Sequence, residues 1–331
     1  MNESGDIINI LCATDDNYAP YCGIMLTSLF ESNKDCQFSV WVLLDGDMSH
    51  DNSKKYKKLE RKYGHSIQLL TIDNHVLDAC PINRQNDVDN HAWVTLPTYY
   101  RLLASELLPR EVRKVLYLDC DVAVVSDIRP LWDVNLADKA IAGVIDCDGF
   151  KNSERLGLPQ TERLGYFNAG VALYNLDYWR DNDVGERFFK YIRDNEDRLL
   201  LMDQDVVNGV LADEKCLVPE RYNFQVSFFY KMFWDNYPVS LQQTLLEECG
   251  KATIIHYCGG TKPWDYAYYG SPFYAEWDRY RKLSLWSRNH LTRPFGRYIK
   301  FVLKKCFFSG SLRKKRQVIW SVLPENRHCF E

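Results

Sequence analysis

Four apolar runs in this chain each lead into aspartate. The runs ending at Ala13, Leu44, Leu118 and Ile145 are followed by Asp15/Asp16, Asp45/Asp47, Asp119/Asp121 and Asp146/Asp148. Because these runs (IINILCA, VWVLL, VLYL, AGVI) lack polar alternation, strands built from them must be covered on both faces, as in a helix-flanked parallel sheet. Their acids would then line one edge of the sheet, where such folds bind ligands.

The intervening segments agree. Strand runs at Ile7–Ala13, Phe38–Leu44 and Ser66–Ile72 alternate with helical stretches at Tyr18–Glu31 and Ser49–Tyr63, giving βαβαβ and a nucleotide-binding α/β half. Further on, a helix is predicted near Thr95–Leu107, strands at Lys114–Leu118, Ala140–Ile145 and Gly170–Tyr174, and helices at Leu176–Asn195 and Gln204–Leu211. The stretch Asp146–Tyr166 is rich in charge and Gly with little periodicity, so a long surface loop with a functional role is expected there.

With 331 residues, 46% apolar and 26% charged, the chain is large enough for one big domain or two modest ones and excludes disordered, collagen-like and coiled-coil readings. Its 11 cysteines are odd in number and scattered, with no Cys-x-x-Cys, and are read as reduced thiols in a cytoplasmic protein. The first eleven residues lack the basic start of a signal peptide, and no apolar stretch nears the roughly 18 residues of a membrane span.

Six Asp-x-Asp spacings occur, starting at Asp45, Asp87, Asp119, Asp146, Asp181 and Asp203, so the motif alone selects nothing. Context does. Asp47 and Asp16 suit helix caps. Asp119-Cys120-Asp121 sits between two apolar runs, where an unpaired carboxylate costs several kcal/mol. Crowded carboxylates repel one another and need a cation to stay ionised. His256 ends another apolar run and precedes a Gly pair, Gly259-Gly260, and Lys262. One imidazole with two carboxylates suits Mn²⁺ better than Mg²⁺, which prefers oxygen alone. The Gly pair lets backbone approach a phosphate, for which Lys262 is a point charge.

Together these residues resemble glycosyltransferase family 8, the retaining nucleotide-sugar transferases that include bacterial lipopolysaccharide galactosyl- and glucosyltransferases. The resemblance covers roughly residues 7–290. It is carried by Ala13-Thr14-Asp15-Asp16-Asn17-Tyr18, Thr98-Tyr99-Tyr100-Arg101-Leu102, Val115 to Asp121, Tyr166-Phe167-Asn168-Ala169-Gly170, Asp203-Gln204-Asp205 and His256 to Trp264, in the family's order.

The resemblance implies a GT-A type, Rossmann-like mixed sheet flanked by helices. It implies that Ala13, Asp15 and Tyr18 hold uridine, with Thr14 and Asn17 also at the donor, and that Asp119, Asp121 and His256, with Cys120 between the acids, hold Mn²⁺ (Mg²⁺ as substitute) against the diphosphate. Gly259 and Lys262 would contact phosphate. Arg101, Asn168, Ala169, Asp203 and Gln204 would surround the donor sugar, with Asp146 nearby. Gln204, Asp203 and Asp146 are the candidates for stabilising an oxocarbenium-like sugar. An amide such as Gln204 is a poor nucleophile, which favours same-face attack by the acceptor over the covalent route of retaining glycosidases. Galactose and glucose differ by one hydroxyl, and the sequence leaves the donor as either.

Charge divides the chain. Residues 279–331 hold 14 Lys/Arg against two Asp/Glu, whereas residues 1–278 hold 27 against 43. A catalytic domain over 1–290 and a basic, aromatic tail over 291–331 are therefore expected. The tail suits peripheral contact with anionic lipid on the inner face of the plasma membrane, with packing on the acidic body as the competing role. A UDP-hexose donor and a glycan or lipid-linked acceptor are the implied partners, and an acidic body argues against nucleic acid. His91 is read as a loop histidine, with acceptor contact as its alternative. Two other functions compete: a haloacid dehalogenase-type phosphohydrolase, in which the His256 turn has no job, and an inactive sugar-nucleotide-binding protein, which predicts a broken metal set, whereas Asp119, Asp121 and His256 are all present.

Overall fold

The structure, a computed structural model, describes residues 7–73, 77, 97–158, 165–260, 262–264 and 273–288. His91 and the tail 291–331 lie outside the described residues. A seven-stranded sheet has the order β3-β2-β1-β4-β7-β6-β8, from β1 (Ile8–Thr14), β2 (Phe38–Asp45), β3 (Ser66–Ile72), β4 (Lys114–Leu118), β6 (Ile141–Ile145), β7 (Phe167–Asn175) and β8 (Lys215–Leu217). A second sheet, β5-β10-β9, is formed by β5 (Val122–Val124), β9 (Phe224–Gln225) and β10 (Ile254–His256). The helices are α1 (Ala19–Ser32), α2 (His50–Tyr63), α3 (Pro97–Tyr100), α4 (Ala104–Leu107), α5 (Arg129–Trp132), α6 (Gly149–Leu156), α7 (Leu176–Asp181), α8 (Val184–Asn195), α9 (Met202–Val210), α10 (Lys231–Trp234), α11 (Val239–Cys249) and α12 (Tyr274–Leu283).

The main sheet is covered on both faces, as its apolar runs require. Ile10, Cys12, Val40, Val42, Leu116 and Leu118 pack into one core, and their strand neighbours Leu11, Trp41, Leu43, Val115 and Tyr117 into the other. Each fully buried Leu, Ile or Val contributes about 1.5–3 kcal/mol, so the strands are held by both layers. β7 runs antiparallel to β4 and β6, making the sheet mixed.

Sheet order also locates the crevice. The chain builds β1, β2 and β3 outward, then returns to lay β4 on the other side of β1, parallel to it. The ends of β1 and β4 therefore flank a topological switch point. Asp15 follows one and Asp119 the other.

Several sequence expectations are corrected. The stretch Asp146–Tyr166 contains α6, whose buried positions Gly149, Asn152, Ser153 and Leu156 have helical i, i+3, i+4, i+7 spacing. Small and polar residues make up most of that face, so no hydrophobic period shows in the sequence. Gly157 closes the helix in the left-handed region at φ +68. The helix expected over Leu176–Asn195 is two, broken where Asp183 takes φ +49. Near Thr95–Leu107, a 3-10 turn at Arg101–Leu103 separates α3 from α4. Asp47 does not cap α2: Ser49 does, accepting from Asn52 N at 3.4 Å. Asp16 instead accepts from Ser49 N (2.9 Å) and Asn52 Nδ2 (2.7 Å), tying the start of α2 to the loop after β1.

The described body closes on itself past α12. Trp286 is fully buried against α1, where a Cβ at Gly23 would overlap its ring, and its Nε1 donates to Asn52 Oδ1 at 2.9 Å. The described cysteines are all free thiols.

Candidate active site

Strand pairing assembles the acid and imidazole set. Asp119 follows β4, and its N donates to Gly170 O on antiparallel β7 at 2.8 Å. Three residues on, β5 pairs with β10 in a register that sets Val122 opposite His256, and Tyr257 N donates to Asp121 O at 2.9 Å. Residues more than a hundred apart thus meet: ligand atoms of Asp119, Asp121 and His256 all lie within 4.8 Å of one another.

The donor set fits a divalent cation. Asn223 Nδ2 donates to Asn168 Oδ1 (2.9 Å), so Asn223 Oδ1 is the acceptor facing His256 Nδ1 at 2.9 Å. That assigns the proton to Nδ1 and turns the Nε2 lone pair towards Asp121 Oδ1, 3.3 Å away. Two acceptors so close call for a cation or proton between them. Asp119 uses Oδ1 for Arg101 and Tyr117, both at 2.9 Å, which leaves Oδ2 on the Gly170 side. There, a Cβ on Gly170 would overlap His256 Cε1 and lie 2.5 Å from Asp119 Oδ2. The absent side chain keeps that space open.

Lys262 forms an ion pair with Asp121. Burial opposes charge on both groups, yet each favours the other's ionised form: Asp121, also beside His256, is held below the usual carboxylate range and Lys262 above its usual value. Gly259, in the turn before it, takes φ +93, a conformation that requires glycine.

A second cluster adjoins the first. Arg101 Nε pairs with Asp203 Oδ2 at 2.9 Å, its NH1 donates to Ala169 O at 2.7 Å, and its guanidinium lies 4.2 Å from the Tyr117 ring centroid. Burial pushes Asp203 up to about 7, because the one guanidinium that favours its charged form is shared with Asp119. Gln204 Oε1 accepts from Ala169 N at 3.0 Å while its Nε2 faces Asp146 Oδ2 at 3.3 Å. Asn168 Nδ2 donates to the same Asp146 oxygen at 3.0 Å. Arg101, Asp119, Asp146, Asn168, Ala169, Asp203 and Gln204 are therefore one hydrogen-bonded set.

The residues after β1 form a separate rim. Asp15 Oδ1 accepts from Tyr18 N at 2.7 Å, Asn17 Nδ2 reaches Asp15 Oδ2 at 3.4 Å, and Thr14 Oγ1 donates to Asp15 O at 3.0 Å. Tyr18 meets the Trp264 ring edge-on at 5.9 Å, and Tyr21 stacks on Trp264 at 3.7 Å, bringing the rim to the Lys262 turn. Cys120 turns away from the acids flanking it, its Sγ donating to Ala13 O at 3.2 Å, and contact with Cys22 together with burial keeps it protonated.

Sequence reasoning missed Asn223, which fixes the His256 tautomer, and Tyr117, which orients Asp119. Asn223 lies in none of the motifs, and Tyr117 lies in the Val115 to Asp121 motif without a role assigned to it there. Tyr117 was legible only as a strand residue two before Asp119, on the face alternate to Leu116 and Leu118.

Comparison with known proteins gives a consistent picture. General stress protein A of Bacillus subtilis is 29% identical over 286 residues, 85% of this chain and 96% of that protein. The lipopolysaccharide 1,3-galactosyltransferase of Salmonella typhimurium is 28% identical over 80% of this chain and 75% of its own length. A crystal structure of the galactosyltransferase LgtC in complex with donor and acceptor sugar analogues is 26% identical, covers 88% of this chain and all of that one, and superposes with a TM-score of 0.69. An active-site mutant of LgtC gives 0.71 at 27% identity, over 87% of this chain and 98% of that one. That likeness makes the mixed sheet a GT-A fold. The sequence model described as glycosyl transferase family 8 matches residues 9–267, and the chain belongs to that family.

Proposed function

We propose that this chain transfers galactose or glucose from a UDP-sugar to a glycan acceptor with retention of anomeric configuration. The observation carrying this reading is the meeting of Asp119, Asp121 and His256 beside Lys262 at the mouth of the β1/β4 crevice. Asp119, Asp121 and His256 would hold Mn²⁺, with Mg²⁺ as substitute, and the bound ion would act as a Lewis acid for the charge growing on the departing diphosphate. Lys262 adds a second positive charge there, and Gly259 lets backbone approach the phosphates. The rim of Ala13, Thr14, Asp15, Asn17 and Tyr18 suits uridine, with Asp15 accepting from the base.

On the sugar side, Arg101, Asn168, Ala169 and Gln204 would orient the hexose, and Asp146 supplies electron-rich oxygen near the oxocarbenium-like carbon. Asp203 acts through Arg101, to which it is paired. Because Gln204 is an amide held at both ends, same-face attack by the acceptor hydroxyl, with UDP taking its proton, fits better than a covalent intermediate. The names of the related lipopolysaccharide galactosyl- and glucosyltransferases support a lipid-linked saccharide acceptor. That acceptor fits a cytoplasmic enzyme whose catalytic domain, 1–290, is brought to the inner face of the plasma membrane by residues 291–331.

The test is hydrolysis and transfer with UDP-galactose and UDP-glucose, with Mn²⁺ or EDTA, for wild type and Asp121→Ala. Turnover that needs the metal and falls about 100-fold or more in the variant is expected. Metal-independent turnover, undiminished in Asp121→Ala, would contradict the reading. Phosphate release from simple phosphomonoesters would favour a phosphohydrolase instead.

A further inference from the structure

Asp205 is fully buried, yet its carboxylate is saturated. Oδ1 accepts from Tyr166 OH and Arg155 NH2, both at 2.7 Å, and Oδ2 from Leu200 N (2.7 Å) and Leu201 N (2.8 Å). With both oxygens committed, it is not available to substrate. Its hydrogen bonds instead fix the chain reversal that enters α9, including Met202, a non-glycine residue at φ +45. Asp203 and Gln204 follow directly on that turn.

The cation on Asp205 comes from the far end of α6. Arg155 sits in the last turn of that helix, and besides Asp205 it donates through NH1 to Arg198 O at 2.8 Å. The near end of α6 is anchored beside Asp146: Gly149 N donates to Asp146 O at 3.0 Å, and Asp146 N to Tyr166 O at 3.0 Å. The packing there is close, since a Cβ on Gly149 would lie 2.7 Å from Tyr166 O. The connections therefore form a closed ring. Asp146 leads into α6, Arg155 at its end holds Asp205, Asp205 fixes α9, and Gln204 on α9 reaches back to Asp146.

We propose that Arg155 is a positioning residue for glycosyl transfer: by clamping α6 to α9 through Asp205, it fixes the Gln204 amide against Asp146 and Ala169 on the sugar side of the site. The inference rests on Gln204 and Asp146 facing the donor sugar. A charge-assisted bond to a buried carboxylate is directional and strong, whereas the remaining donors to Asp205 are neutral. Without Arg155, α9 can shift by a fraction of an ångström, enough to misplace an amide that must meet a sugar. The uridine rim follows β1, and Asp121 and His256 belong to the β5–β10 side, so of these contacts only Asp119, through Arg101 and Asp203, is tied to α9. Loss of Arg155 therefore acts on turnover more than on nucleotide binding.

The experiment uses full-length protein and compares Arg155→Met, the double variant Arg155→Met/Asp205→Asn and wild type. It reads kcat and KM for UDP-galactose and UDP-glucose hydrolysis, calorimetric affinity for UDP with Mn²⁺, and thermal midpoints. Arg155→Met should lose about tenfold or more in kcat, with KM and UDP affinity within about threefold, and added guanidinium ion should restore part of kcat. The double variant removes the unpaired buried charge, so its midpoint should return towards wild type while kcat stays low. Restoration of kcat together with the midpoint would reduce Arg155 to a partner for a buried charge and overturn the proposal, as would an unchanged kcat in Arg155→Met. Absence of UDP-sugar turnover in wild type would instead overturn the reading on which the proposal rests.

Discussion

Asp203 is buried and Asp121 partly buried, each beside a cation, and their pKa values shift in opposite directions. Asp121 has Lys262 to favour its charged form. Asp203 has half a share in Arg101, so burial prevails and its carboxyl titrates near 7. An acid whose folded value lies above its unfolded value of about 4 stabilises the fold fully below pH 4, and that contribution is lost as pH rises through 7. Asp203→Asn removes this proton linkage. Chemical denaturation from pH 4 to 8 should show that the wild type loses on the order of a few kcal/mol relative to the variant as pH rises. Parallel pH profiles for the two proteins would show that Asp203 does not titrate in this range. At this scale the motif acids were legible, because apolar runs ending on Asp leave few fates for a carboxylate. Asn223 and Tyr117 were not, since their roles come from strand register and sheet face, which local sequence does not encode.

Among the elements, β7 has the most exacting demand. Gly170 faces Asp119 across the β4–β7 ladder, and a methyl group there must displace either the His256 ring or the Asp119 carboxylate. Gly170→Ala is expected to lower Mn²⁺-supported UDP affinity by about tenfold or more while the far-UV circular dichroism is retained, because the clash is with the side chains of His256 and Asp119 and not with the apolar core. Calorimetry showing wild-type affinity would mean that the Asp119, Asp121 and His256 side chains do not act on one ion. The strands were readable from apolar runs, and β10 was readable from the run before His256. The short strands β8 and β9 were not, with two or three residues each. Helix α6 was hidden for a different reason: it packs Gly, Asn and Ser inward, so its periodicity is one of size and not of hydrophobicity.

At the scale of the whole molecule, the crevice exists because the chain reverses direction across the sheet after β3, and the second sheet exists to carry His256 to it. Sequence composition revealed the acidic body and basic tail but not the second sheet, whose strands come from segments some 130 residues apart. Trp286 packs back onto α1 and α2, so the catalytic body extends past α12. Deleting residues 291–331 is expected to leave UDP-sugar hydrolysis within about twofold of wild type and to abolish sedimentation with vesicles containing anionic lipid. Loss of hydrolysis in the truncated protein would assign those residues to the body instead.

Delivery of three side chains by β4 and β10 to one ion at the nucleotide's diphosphate underlies every one of these expectations. It is tested most directly by anomalous scattering from a crystal soaked with UDP and MnCl₂. A single manganese peak bonded to Asp119, Asp121 and His256 and to phosphate oxygens is the predicted result, and a peak that leaves any of the three out of reach, or no peak with UDP bound, would contradict it.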